Sequence, residues 1–181
     1  MRAALDETFS EHGAGIAYVV AATVVVADEV ATTAALQRVL TQQRRTRPLH
    51  WRREGPVAKG RLVDCLIEVG AIGHVCVHYP TGRKKLEAAR ARGMREVIPR
   101  LVADGANDLT IESRGGDLDR RDQGVTLDVL RDIRAGGSLA YHWETKSDPF
   151  LWLADGLCGV VSGFSAVRPT PSTTSGCFIA A

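Results

Sequence analysis

Apolar and polar residues follow two rhythms along this chain, and the changes between them outline its elements. Arg2 to Thr8 reads as a short strand, and after the loop Ser10 to Gly15 the run Ile16 to Val26 reads as one bent β-strand or two. Asp28 or Thr32 can cap a helix through about Gln43, with Val30, Leu36, Val39 and Leu40 on its inner face. An arginine-rich linker ends in Pro48-Leu-His-Trp51, and Pro56 starts a second helix that runs through Glu68 and stops at Gly70. His74 to Tyr79 is a strand. Arg83 to Asp104 is a long helical pattern with a kink or break expected at Gly93 and Pro99. Asp108 to Ser113 is a strand, Arg114 to Gln123 a polar loop, Val125 to Arg134 a helix and Leu139 to Glu144 a strand. Asp148-Pro149 opens a last helix that reaches about Phe164. This order predicts an α/β protein, a mixed sheet covered by helices, in one domain over residues 1–167 with a loose tail over 168–181.

One residue breaks the pattern of the last helix. The segment from Pro149 to Phe164 is apolar nearly all round except for Asp155. An unpaired buried carboxylate costs several kcal/mol, so Asp155 needs a partner, either an arginine, backbone amides or a metal ion. Asp6 interrupts the first strand in the same way, and Glu112 follows the apolar part of the strand at 108–113. On a strand Asp6 and Glu7 point to opposite faces, so Asp6 is the one expected to face the other acids, beside Ala4 and Thr8. Three carboxylates on three elements can converge on one hard divalent cation. Asp148 lies two helical turns before Asp155 and suits a helix cap as well as the mouth of such a site.

Composition narrows the alternatives. The chain has 181 residues, 45% hydrophobic and 24% charged, with a net charge of +2, so overall charge does not point to nucleic acid. The distribution does more: Arg44, Arg45, Arg47, Arg52 and Arg53 fall within ten positions, and such a run is either a solvated surface or a phosphate-binding strip. The cysteines Cys65, Cys76, Cys158 and Cys177 form no Cys-x-x-Cys pair and read as reduced residues of a cytoplasmic protein. A strand directly after Met1 argues against a signal peptide, and no apolar run reaches the roughly 20 residues of a membrane span, so no membrane partner is expected. Asp117, Asp119 and Asp122 lack the glycine and closing glutamate of a calcium loop. His74, Cys76 and His78 share one face of a strand, but a single strand offers zinc no fourth ligand. There is no Gly-x-Ser-x-Gly elbow and no P-loop, and Cys158 inside a helix is poorly placed as a nucleophile.

Three short motifs occur in an order that resembles an uncharacterised bacterial family with a ribonuclease H-like fold. They are Asp6-Glu-Thr on the first strand, Leu49-His-Trp51 after the first helix, and Asp148 with Leu151-Trp-Leu-Ala-Asp155-Gly-Leu-Cys-Gly159 at the close. Thr8 replaces the Ser-Gly usual there. The resemblance implies a five-stranded mixed sheet flanked by helices. It also implies a site of Asp6, Glu112 and Asp155 with Asp148 as a further acid, holding Mg²⁺ or Mn²⁺ for phosphodiester hydrolysis. On that view the arginines from Arg44 to Arg53 face nucleic acid, and His50 and Lys146 orient a phosphate or water. The competing expectations are a non-catalytic nucleic-acid or protein-binding module on the same fold, its acids paired with arginines such as Arg114 or Arg120, and a hydrolase of small phosphate esters.

Overall fold

Eleven consecutive positions from Gly15 to Val25 form a strand that is buried on both faces, which explains why that run shows no polar alternation. In the computed structural model, which describes residues 1–12, 15–42, 47–165 and 176–180, this strand (β2) is one long element. β1 (Arg2–His12) pairs with it antiparallel along its whole length, so Ser10 to His12 belong to the strand and not to a loop. β3 (Ala71–His78) pairs antiparallel on the other side of β2. β4 (Asp108–Glu112) and β5 (Ala140–Glu144) lie parallel to β1 beyond its free edge. These five strands make the expected mixed sheet. A sixth, β6 (Gly176–Ala180), extends it antiparallel to β3, giving the order β5-β4-β1-β2-β3-β6. β6 lies within the stretch read as a loose tail, whose residues 168–175 and 181 fall outside the described ones.

Helices cover both faces. Against one face lie α3 (Leu86–Ala103) and α4 (Gly116–Asp132), which share a core with Leu5, Val20, Leu109 and Ile111. Against the other lie α1 (Glu29–Gln42), α2 (Pro56–Glu68) and α5 (Phe150–Ser165), around Leu36, Leu49, Leu62 and Phe150. Leu36 and Val39 face inward as expected, whereas Val30 is exposed.

Two helical expectations need correction. α3 runs unbroken through Gly93 and Pro99. A proline inside a helix costs about 3 kcal/mol, but Met94, Val97, Ile98 and Leu101 are all fully buried, each contributing roughly 1.5–3 kcal/mol. Gly93 lets the helix approach the sheet, because a Cβ there would collide with the side chain of Val20 on β2. The second correction concerns Arg114 to Gln123, most of which is the start of α4 and not a loop. Gly115 and Gly116 both take positive φ and turn the chain into the helix. Asp117 and Asp119 then occupy its first turn, where carboxylates offset the helix dipole. Asp119 also accepts from the amides of Arg114 at 2.8 Å and Gly115 at 3.1 Å. Among the described residues no helix is long and apolar enough to cross a membrane.

Candidate metal and nucleic-acid site

The parallel register of β1 and β4 pairs Leu5 with Ile111, and one step further along both strands come Asp6 and Glu112. α5 packs against β1 and carries Asp155. The three acids meet at one point, occupied by the ammonium of Lys146 from the β5–α5 connection. Lys146 Nζ bonds Asp6, lies 3.2 Å from Asp155 Oδ1 and 3.5 Å from Glu112 Oε2. The predicted trio is therefore assembled, and Lys146 sits inside it rather than beside it.

The Leu49-His-Trp51 motif braces this point. Leu49 is buried in the core under α5. The backbone N–H of Trp51 donates to Asp155 Oδ2 at 2.6 Å, and His50 Nδ1 lies 3.4 Å from the same oxygen. The indole of Trp51 packs onto Gly159, where a Cβ would overlap the ring, so only glycine fits. Cys158 Sγ donates to the backbone carbonyl of Asp6 at 3.4 Å, and burial pushes its thiol well above the usual range, as a structural cysteine requires.

Asp148 has other partners. One oxygen accepts the Phe150 amide at 3.0 Å, capping α5, and the other takes a bond from Arg2 and lies 3.4 Å from Thr110 Oγ1. The structure thus holds Asp148 at the helix start and does not join it to the other three acids.

Electrostatics follow from burial and the count of charges. Burial, reinforced by a hydrogen bond with Glu112, pushes Asp6 up to about 8, although Lys146 opposes the shift. Burial also raises Asp155 against the pull of Lys146. For Lys146 burial works the other way, but Asp6, Asp155 and Glu112 outweigh it and hold the ammonium above its ordinary range. One ammonium matches one of three carboxylates, so the centre has more acid than cation. All its donors are carboxylate oxygens, which suit a hard divalent cation. The Lys146 side chain is 14% exposed on a flexible stem and can yield the position.

Strand parity points Glu7 away from the site, and on the far face of β1 its carboxylate does bond Arg90. Yet one of its oxygens also lies within 4.8 Å of a carboxylate oxygen of Asp6 and of Glu112. Behind it, Arg90 Nε lies 2.9 and 3.1 Å from the two oxygens of Asp122, and Arg114 reaches Asp122 at 3.0 Å and Glu87 at 2.7 Å. The network ties α3 and α4 to the site from the far side of the sheet.

A cleft of about 270 Å³ opens over the centre, lined by Glu7, Glu112 and Asp155 and by the cationic side chains of Arg52, Arg114 and Lys146, with His50 beside them. Arg52 donates to the Phe9 carbonyl and stacks 5.3 Å over its ring. Arg47 and Arg53 are exposed, and Arg44 and Arg45 fall outside the described residues. Arg114, expected only as an alternative partner for the acids, is a cleft residue.

No protein-family model and no curated protein matches the chain. Among solved structures it is similar to a chain of the PCNA:RNase HII complex from Archaeoglobus fulgidus, with a TM-score of 0.61 and 17% identity, over 93% of this chain and 75% of that one. The fold is ribonuclease H-like.

Proposed function

We propose that the protein is a divalent-metal-dependent nuclease. The observation that carries this reading is the convergence of Asp6, Glu112 and Asp155 on one cation position beneath a cleft whose lining includes Arg52, Arg114 and Lys146 among its acids. Its ribonuclease H-like fold, shared with a structure that contains a nuclease, supports the same reading. Asp6, Glu112 and Asp155 would hold Mg²⁺ or Mn²⁺, with Glu7 as a further carboxylate in reach. Asp148 acts by fixing the start of α5. Bound divalent cations activate water and neutralise charge on a scissile phosphate. The chain supplies the rest. Arg52 and Arg114 bind phosphate oxygens at the cleft wall, and the exposed arginines of the linker extend that grip along a nucleic-acid backbone. Lys146, displaced from the carboxylates, remains close enough to hold a phosphate oxygen. His50 lies beside Asp155 and, at 37% exposure, can orient a phosphate or water.

One observation favours a second reading, a nucleic-acid-binding module without catalysis: Lys146 already supplies a cation to the acids. Labelled single-stranded and double-stranded DNA, RNA and hybrid oligonucleotides, incubated with Mg²⁺ or Mn²⁺, separate the two. The nuclease reading expects cleavage that needs the ion and disappears in Asp6→Asn and Asp155→Asn. Binding of the same oligonucleotides without ion-dependent cleavage favours the module. Turnover of small phosphodiesters alone points to a small-molecule hydrolase.

A further inference from the structure

A second donor cluster lies on the α3 side of the sheet, away from the carboxylate centre. His74, Cys76 and His78 alternate along β3 and share one face. The first of them, His74, is taken by Asp104, at 2.5 Å. Cys76 and His78 are met instead by Glu96 from α3. Cys76 Sγ lies 2.9 Å from Glu96 Oε2 and 3.4 Å from His78 Nε2, which is 3.7 Å from Glu96 Oε1. A helix thus supplies a third donor to the two that β3 offers.

We propose that Cys76, His78 and Glu96 form a zinc site that fastens β3 to α3, its fourth position filled by water. The donor separations fit the metal. Bonds of about 2.0–2.3 Å at tetrahedral angles set ligand atoms about 3.3–3.8 Å apart. Two of the three separations already fall in that range. The shorter one, between thiol and carboxylate, carries a proton that the ion would replace. The chemistry fits as well. A thiolate and a carboxylate balance the charge of Zn²⁺, and a mixed sulfur–nitrogen–oxygen set favours zinc over the magnesium suited to the all-carboxylate centre. Cys76 is fully buried, but the Glu96 side chain is 34% exposed and gives an ion and its water access from solvent.

The test is a Co²⁺ and Zn²⁺ titration of the full reduced chain. Expected is a thiolate-to-cobalt absorption band that saturates with one bound Co²⁺, is displaced by Zn²⁺ and is preserved in Asp155→Asn. Cys76→Ser should abolish that absorption. Even changes to groups that only support a ligand typically weaken metal binding by 10-fold or more, so Glu96→Gln should weaken zinc binding by at least about tenfold. This milder change at a part-exposed position should leave the folded spectrum intact. Two results would overturn the proposal: no thiolate–cobalt band in the wild type, or an unchanged band in Cys76→Ser.

Discussion

Two clusters of buried charge flank β1, and they are built on opposite rules. On the α5 side, Asp6, Glu112 and Asp155 share the single ammonium of Lys146. On the α3 side, Glu7, Asp122 and Glu87 share two guanidiniums, Arg90 and Arg114, in part through forked, two-point bonds. The second arrangement is closer to charge balance, with each acid in contact with a guanidinium, although Arg90 Nη2 and Arg114 Nε lack a well-aligned hydrogen bond. The first is short of positive charge, lies under a cleft, and holds an acid whose proton affinity is raised by burial. A satisfied cluster holds elements together, whereas one short of a cation is prepared to take one.

The largest effect should come from breaking the satisfied cluster. Arg90 is 1% exposed, so Arg90→Met leaves Asp122 and Glu7 with Arg114 as their remaining guanidinium and should cost about 3–5 kcal/mol in urea unfolding. Arg90→Met with Asp122→Leu should cost less than Arg90→Met alone, because one fewer buried charge is then left stranded. If the single and double variants unfold alike, the network does not brace the two helices.

Next in size is the response to metal. Mn²⁺ at 100 times its dissociation constant should stabilise the wild type by about 2.7 kcal/mol, read as a shift in melting temperature. Asp155→Asn should lose that shift. Lys146→Met should keep it and reach it at lower Mn²⁺, since the competing ammonium is gone. A melting temperature indifferent to millimolar Mn²⁺ would falsify the metal reading.

Acidity gives a smaller, signed effect. Asp6 holds its proton in the folded chain up to about 8 but only to its ordinary value of 3.8 when unfolded. The stability this contributes is complete below the unfolded value and is lost as pH rises through the folded one. Without divalent ions, stability should therefore fall between about pH 6 and 7, by up to about 1.4 kcal/mol for one proton. A rise over that interval would mean that Asp6 is ionised in the fold.

The smallest effect on stability belongs to the linker. Replacing Arg47, Arg52 and Arg53 by alanine should change folding by less than about 1 kcal/mol. It should reduce the slope of log affinity against log salt by about 0.7–0.9 for each phosphate no longer bound, measured by fluorescence anisotropy. Equal slopes would leave these arginines as solvated surface.

What can be read from the chain depends on whether a residue contradicts its own surroundings. Asp6 and Asp155 do, being acids in apolar segments, and both reach the shared cation position. Glu112 is legible from its place at the end of a strand. Arg90 and Asp122 give no such signal, because each lies in a stretch rich in charge and their pairing spans two helices. That same polarity makes the first half of α4 look like a loop, although its acids favour a helix start. Strand parity places Glu7 on the face of Arg90 and Arg114, as found, but it does not show that one carboxylate oxygen also comes within 4.8 Å of Asp6 and Glu112.

The seat of Trp51 on Gly159 has a mechanical consequence. The end of the arginine linker is keyed into the helix that carries Asp155, by ring packing and by the Trp51 amide on the carboxylate itself. Trp51 and Asp155 are therefore held to one another, with Gly159 as the seat. Anything that grips the arginines and moves Trp51 must also move Asp155 or release it. By reciprocity, an ion that fixes Asp155 fixes the posture of the linker to the same degree.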